Sequence, residues 1–229
     1  MASKSGYLDI VKYLVDEGAN IQARENFALG IACRNRHFDI VKYLVNNGAD
    51  IGAESHWNDI FEEKNNHLDV VDYLLERGLD YFYKESSILE YACKRRKIEI
   101  VKFLVKNGAN VRVGNDKALK TASSNAHFEV VKCLIENGAN IHTENDYALR
   151  MASQHGHLNI VKYLIENGAD IHAEDNFSLR EAIQNGHLVI VECLVENGAN
   201  VNAEGMYNRE RLILRGHKDV LEFLDKIRK

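Results

Sequence analysis

Gly156-His-Leu-Asn-Ile-Val-Lys-Tyr-Leu-Ile-Glu-Asn-Gly-Ala-Asp-Ile171 is the stretch that decides the fold. Its second glycine belongs to a series: Gly18, Gly48, Gly78, Gly108, Gly138, Gly168 and Gly198 stand 30 residues apart, with no insertion or deletion. A fixed period of tens of residues marks a repeat array, in which each unit buries its apolar face only against its neighbours. Such a chain works through an extended surface, with no single deep pocket.

One unit, Tyr147 to Asn176, shows the logic. Tyr147 to His155 reads as a short helix, with Asn145 or Asp146 placed to cap it. Leu149 and Ala152 share a face at i, i+3, and the small alanine permits close helix approach. Gly156 breaks this helix, and a second is expected from about His157 to Asn167. Its polar residues Asn159, Lys162 and Glu166 form one exposed stripe, while Leu158, Ile160, Val161, Tyr163, Leu164 and Ile165 cover the rest of the circumference. A helix that apolar is expected to be packed on three sides. Gly168 ends it in the left-handed conformation that glycine adopts cheaply, and Ala169 to Glu174 form a turn into the next unit.

This unit resembles the ankyrin repeat, and the resemblance covers essentially the whole chain. It implies an all-α solenoid of stacked helix-turn-helix units. Ankyrin units typically run 33 residues and open with T-P-L-H-x-A. Here that motif reads Phe27-Ala-Leu-Gly, Tyr147-Ala-Leu-Arg and Phe177-Ser-Leu-Arg. The proline and histidine are gone, and an aromatic replaces threonine. The three missing residues fall between Ala173 and Leu179, so the hairpin fingers of the family should be shortened to blunt turns. This 30-residue variety looks like the large ankyrin families of giant DNA viruses. One array over 1–229 is expected, with units at about 1–26 (incomplete), 27–56, 57–86, 87–116, 117–146, 147–176, 177–206 and 207–229, the last a C-terminal cap with a polar outer face.

Composition narrows the function. A net charge of −5 and a pI near 6.1 argue against a general nucleic-acid or anionic-membrane binder. No apolar run approaches the roughly 18 residues of a membrane span, and Met1-Ala-Ser-Lys does not read as a signal peptide. Cys33 and Cys93 share one repeat position, and Cys133 and Cys193 another. Helices stacked about 8–10 Å apart put either pair about 20 Å apart, beyond disulfide reach. Reduced cysteines point to an intracellular site, the host cytoplasm if the protein is viral.

Chemistry-bearing patterns mostly dissolve into the repeat. His37, His67, His127, His157, His187 and His217 hold one position at the start of the second helix; the resemblance gives them a structural role tying units together. His142 and His172 lie one repeat apart, and His155 and His157 should diverge, so no metal site is expected. Asp39–Lys42 and Glu99–Lys102 read as rungs of a solvated ion-pair stripe. Neither P-loop, dinucleotide-binding nor G-x-S-x-G motifs occur, and no cofactor is expected.

What remains is surface variation. The helix from Trp57 to Asn66 abandons the common pattern, and the turn Leu79-Asp-Tyr-Phe-Tyr-Lys84 replaces the usual Ala-Asn-Ile-x-Ala-Glu. Phe82 falls at a turn position held elsewhere by polar residues or glycine, and an exposed aromatic beside basic residues is hot-spot composition. The expected partner-binding residues are Phe82, Lys64, Lys84, Arg95 and Arg112. The leading function is a non-enzymatic scaffold that binds a protein partner through its concave surface, with a host factor as partner if viral. A monomer with weak self-association through its N-terminal end is expected. The alternatives are a self-assembling structural protein, or an enzyme with an acidic site at Asp59, Glu62, Glu63 and His67.

Overall fold

The computed structural model describes residues 1–51, 69–70, 73–74, 77, 88–202 and 206–227, with Glu25 and Ile88 described in the backbone alone. Among the described residues there are 14 helices and no strand, an all-α repeat solenoid. The chain divides into two compact units, Met1–Ala109 and Asn110–Lys229. The first holds α1 (Ala2–Ser5), α2 (Leu8–Asp16), α3 (Ala23–Arg34), α4 (Phe38–Asn46), α5 (Ile88–Lys94) and α6 (Ile98–Lys106). The second holds α7 (Val113–Ser124), α8 (Phe128–Glu136), α9 (Thr143–Gln154), α10 (Leu158–Glu166), α11 (Ala173–Gln184), α12 (Leu188–Glu196), α13 (Arg209–Arg215) and α14 (Lys218–Ile227). There the first helices α7, α9 and α11 pack in one row, and the second helices α8, α10, α12 and α14 in another.

The second helix carries the core, through a narrower face than its composition suggests. In α10 only Ile160, Val161 and Leu164 are fully buried, while Leu158, Tyr163 and Ile165 stay partly exposed. The i, i+1, i+4 spacing gives one buried stripe. Tyr163 spans to the preceding second helix, its ring edge-on to Phe128 at 5.7 Å. Two side-chain devices then end the helix. The Asn167 amide donates to the Tyr163 carbonyl at 2.7 Å, a contact repeated by Asn47, Asn107, Asn137 and Asn197. Two residues past Gly168, the Asp170 carboxylate accepts the His172 N–H at 2.8 Å and closes an Asx turn.

The blunt finger is a turn of left-handed backbone. Glu144, Asn145 and Asp146 have φ of 51°, 54° and 56°, and Glu174, Asp175 and Asn176 repeat this at 52°, 54° and 59°. Left-handed backbone costs an L-residue about 1–2 kcal/mol, least for Asn and Asp, which explains the composition here. The right-handed part of α9 therefore starts at Tyr147. The expected capping role of Asn145 or Asp146 is corrected: both reach forward to the next turn instead. The Asp146 carboxylate accepts the Asp170 N–H at 2.9 Å, and the Asn145 amide donates to Glu174. Asp116 does the same, taking the Asn140 N–H at 2.7 Å and the Thr143 hydroxyl at 2.6 Å, and Asn26 takes the Asp50 N–H at 2.9 Å.

A second tie lies at the other end of the first helix. His157 donates from Nε2 to the Ser124 carbonyl at 3.1 Å, His187 to Gln154 at 3.0 Å, and His37 to Lys4 at 3.0 Å. A carbonyl only accepts, so these rings carry their proton on Nε2. Two of these rings press on a glycine: a Cβ on Gly156 would lie 2.9 Å from His187, and one on Gly6 2.7 Å from His37. In the last unit Arg215 takes the Gln184 carbonyl at 2.9 Å, where the period would place His217.

The two ends differ from the interior. Ile10 and Leu14 on α2 are 49% and 46% exposed, against 1% and 0% for their equivalents Ile160 and Leu164. At the other end the polar cap is partial. Lys218 and Glu222 are exposed on α14 and Arg209 grips Asp225, but Ile213 and Leu214 are also exposed, which corrects the expectation of a polar outer face.

Candidate functional site

Many repeated polar side chains are used by the scaffold itself. Asp116, Asp146 and Asp170 accept backbone N–H groups, and His37, His157 and His187 bind carbonyls. The ion-pair stripe is sparser than the sequence suggests. Glu99–Lys102 closes at 3.7 Å, but Lys42 turns its ammonium onto the Phe38 ring, 4.2 Å from the centroid, instead of pairing with Asp39. His155 and His157, expected to diverge, lie with rings nearly parallel and centroids 5.9 Å apart; the first donates from Nδ1 to the Met151 carbonyl. Among the described residues no group of three His, Cys, Asp or Glu is arranged to hold a metal ion.

None of the four cysteines is in a disulfide and all four are buried; burial above all pushes the Cys193 thiol up from its ordinary range. No helix among the described residues is long and apolar enough to cross a membrane. The carboxyl cluster Asp59, Glu62, Glu63 with His67 lies outside the described residues.

On the first-helix face of the second unit, cations and rings alternate. Lys120 lies 5.7 Å from the Tyr147 ring, Arg150 lies 5.6 Å from Tyr147 and 5.1 Å from Phe177, and Arg180 lies 5.7 Å from Phe177. The ladder therefore runs Lys120, Tyr147, Arg150, Phe177, Arg180, across three successive first helices. Local geometry builds it: a ring and a guanidinium at i, i+3 share one helical face, and the 30-residue period stacks one such pair on the next. All five side chains are partly buried. Cation–π contacts of this kind contribute about 0.5–1 kcal/mol each at exposed sites.

The arginines are held from behind by the left-handed turn. Arg150 donates from Nε to the Asn145 carbonyl at 3.0 Å and from Nη2 to the Glu144 carbonyl at 2.8 Å. Arg180 reaches the Asp175 and Glu174 carbonyls at 3.4 and 3.5 Å. Lys120 is paired with Glu144. Among the described residues neither Arg150 nor Arg180 has a carboxylate within 4.0 Å. Beside the ladder, the turns form an open polar groove of about 560 Å³ lined by His142, Asp146, Asp170, His172, Glu174 and Asp175 among others.

Of the residues singled out from the sequence, Phe82, Lys64 and Lys84 lie outside the described residues. Arg95, in the first unit, is exposed and stacks on Tyr91 at 5.4 Å. Arg112, in the second, is exposed on a turn whose Asn110 accepts its backbone N–H at 2.9 Å. The ladder is not among the residues singled out from the sequence, although its signal stands there: Tyr147-x-x-Arg150 and Phe177-x-x-Arg180 depart from the family motif, and their i, i+3 spacing puts ring and guanidinium side by side.

Stacked two-helix units, joined by short turns and leaving one helix face open, define a helical repeat protein. A family model described as Ankyrin repeats (3 copies) matches residues 1–55, 63–115, 89–175 and 119–205. The chain belongs to the ankyrin repeat family. No curated protein matches it in a sequence search.

Proposed function

We propose that this chain is a non-enzymatic protein-interaction scaffold that holds a protein partner on its first-helix face, the concave side of an ankyrin array. Ankyrin repeats generally mediate protein–protein interaction. The observation that carries the reading here is the ladder from Lys120 to Arg180, where ring- and cation-bearing side chains stay partly open to solvent while the repeated carboxylates Asp116, Asp146 and Asp170 and the rings of His37, His157 and His187 bind backbone. Aromatic and arginine side chains, fixed before binding, lose little entropy on association.

The patch of Phe82, Lys64, Lys84, Arg95 and Arg112 is proposed as a further contact area; exposed Arg95 on Tyr91 repeats the cation-on-ring pairing. A reducing cellular compartment fits four buried cysteines, none of them in a disulfide. A host protein as partner rests on the likeness of the 30-residue unit to giant-virus arrays.

The test is partner capture with the full chain and surface variants. Phe177→Ala and Arg180→Ala should each reduce recovery of a specific partner, while Lys132→Ala and Lys162→Ala on the second-helix face should not. The opposite pattern would place the interface on the second helices and overturn the reading.

A further inference from the structure

We infer that the partner segment seated on the ladder is an acidic peptide, with two carboxylates about 10 Å apart that pair with Arg150 and Arg180. This rests on the first-helix face being the binding surface. Both arginines are partly buried, with their guanidinium groups 5.1 and 5.7 Å from the Phe177 ring, yet neither has a carboxylate within 4.0 Å among the described residues. Arg150 spends Nε and Nη2 on turn carbonyls, and Nη1 carries no protein bond among the described residues. A partly desolvated cation held rigidly with spare donors is built for an incoming carboxylate, which the planar guanidinium can meet with two bonds.

The spacing follows from the stack. Neighbouring packed helices lie roughly 8–10 Å apart, and a peptide in the polyproline II conformation advances about 9 Å in one three-residue turn, which returns positions i and i+3 to the same face. Asp or Glu at positions i and i+3 of such a segment therefore matches one arginine per repeat, and the residues between them pass over Phe177. Glu144, Glu174 and Asp175 in the adjoining turns are exposed. They repel a continuous polyanion while tolerating isolated carboxylates, so a peptide is favoured over a nucleic-acid backbone.

The test pans a random dodecapeptide display library on the full chain, then measures one selected peptide by fluorescence anisotropy. Selected sequences should carry Asp or Glu three residues apart. Replacing both acids by Asn or Gln should weaken binding by about tenfold or more, as should Arg150→Ala with Arg180→Ala. Because Arg150 also braces a turn, the unmodified chain supplies an independent measure: affinity should fall steeply with added salt, and a single-stranded oligonucleotide should not compete.

Selection of peptides without acids, on the same face, would overturn the acidic specificity and leave the interaction surface standing. Peptides whose binding ignores Phe177→Ala, Arg150→Ala and Arg180→Ala alike would overturn both. Displacement by the oligonucleotide at matched concentration would reassign the ladder to polyanions.

Discussion

The Asp146 carboxylate accepts the backbone N–H of Asp170, 24 residues further on, at 2.9 Å. One turn thus grips the next, and the acceptor is 4% exposed. Asp146→Ala leaves that N–H without its charged acceptor and should cost about 1–3 kcal/mol. Asp146→Asn should cost less, since Asn26 makes the same contact in the first unit. Denaturant unfolding gives the energies, and amide exchange at Asp170 should speed up in the alanine variant alone. An unchanged Asp170 amide would show that the contact is incidental.

Leu164 is fully buried and Lys162, two residues earlier, is exposed. Leu164→Ala should cost about 2–5 kcal/mol. Lys162→Ala should stay under about 0.5 kcal/mol. Equal losses in thermal or chemical unfolding would mean that the buried face has been misassigned.

Ala126 sits at φ 61°, in the slot where Gly156 has φ 83°. Ala126→Gly relieves a left-handed residue and should stabilise by about 0.5–1 kcal/mol. Gly156→Ala should destabilise, because strain adds to a Cβ placed 2.9 Å from the His187 ring. Opposite shifts in melting temperature are expected; shifts of one sign would count against backbone strain as the cause.

The stack itself was legible because its determinants are local and repeat in register. A glycine every 30 residues and the apolar spacing of Ile160, Val161 and Leu164 need no tertiary information. Asp146 was not legible, because a carboxylate just ahead of a helix has the same local pattern whether it caps that helix or reaches the next turn. His155 and His157 mislead for a related reason: both lie in the turn between α9 and α10, so helical geometry does not govern their angle. The proposed binding residues are half legible. Phe82 drew notice by breaking the pattern, whereas Arg150 and Phe177 keep it, and their pairing arises only when α9 and α11 are laid side by side.

The apolar face of α2 should behave unlike its interior copies. With Ile10 and Leu14 about half exposed, amides from Leu8 to Val15 should exchange faster than those from Leu158 to Ile165. We propose weak self-association through this face, so that Ile10→Ser lowers the apparent mass in size exclusion at high concentration. Slow, uniform exchange in a strict monomer would refute both expectations.

The reach of Asp146 has a consequence for how such a chain can grow and shrink. Excising residues 147–176 would join Asp146 directly to Phe177 and bring Asn200, which occupies Asp170's place and closes the same Asx turn on Asn202, to a separation of 24 residues from Asp146. The severed grip would re-form with a new partner of the same kind, and the shortened protein should fold with a lower melting temperature but undiminished helicity per residue. An excision of 29 or 31 residues would leave that carboxylate without its N–H and the chain out of phase. A gain or loss of residues that keeps this grip therefore comes in whole cassettes of 30, the spacing at which the seven glycines stand.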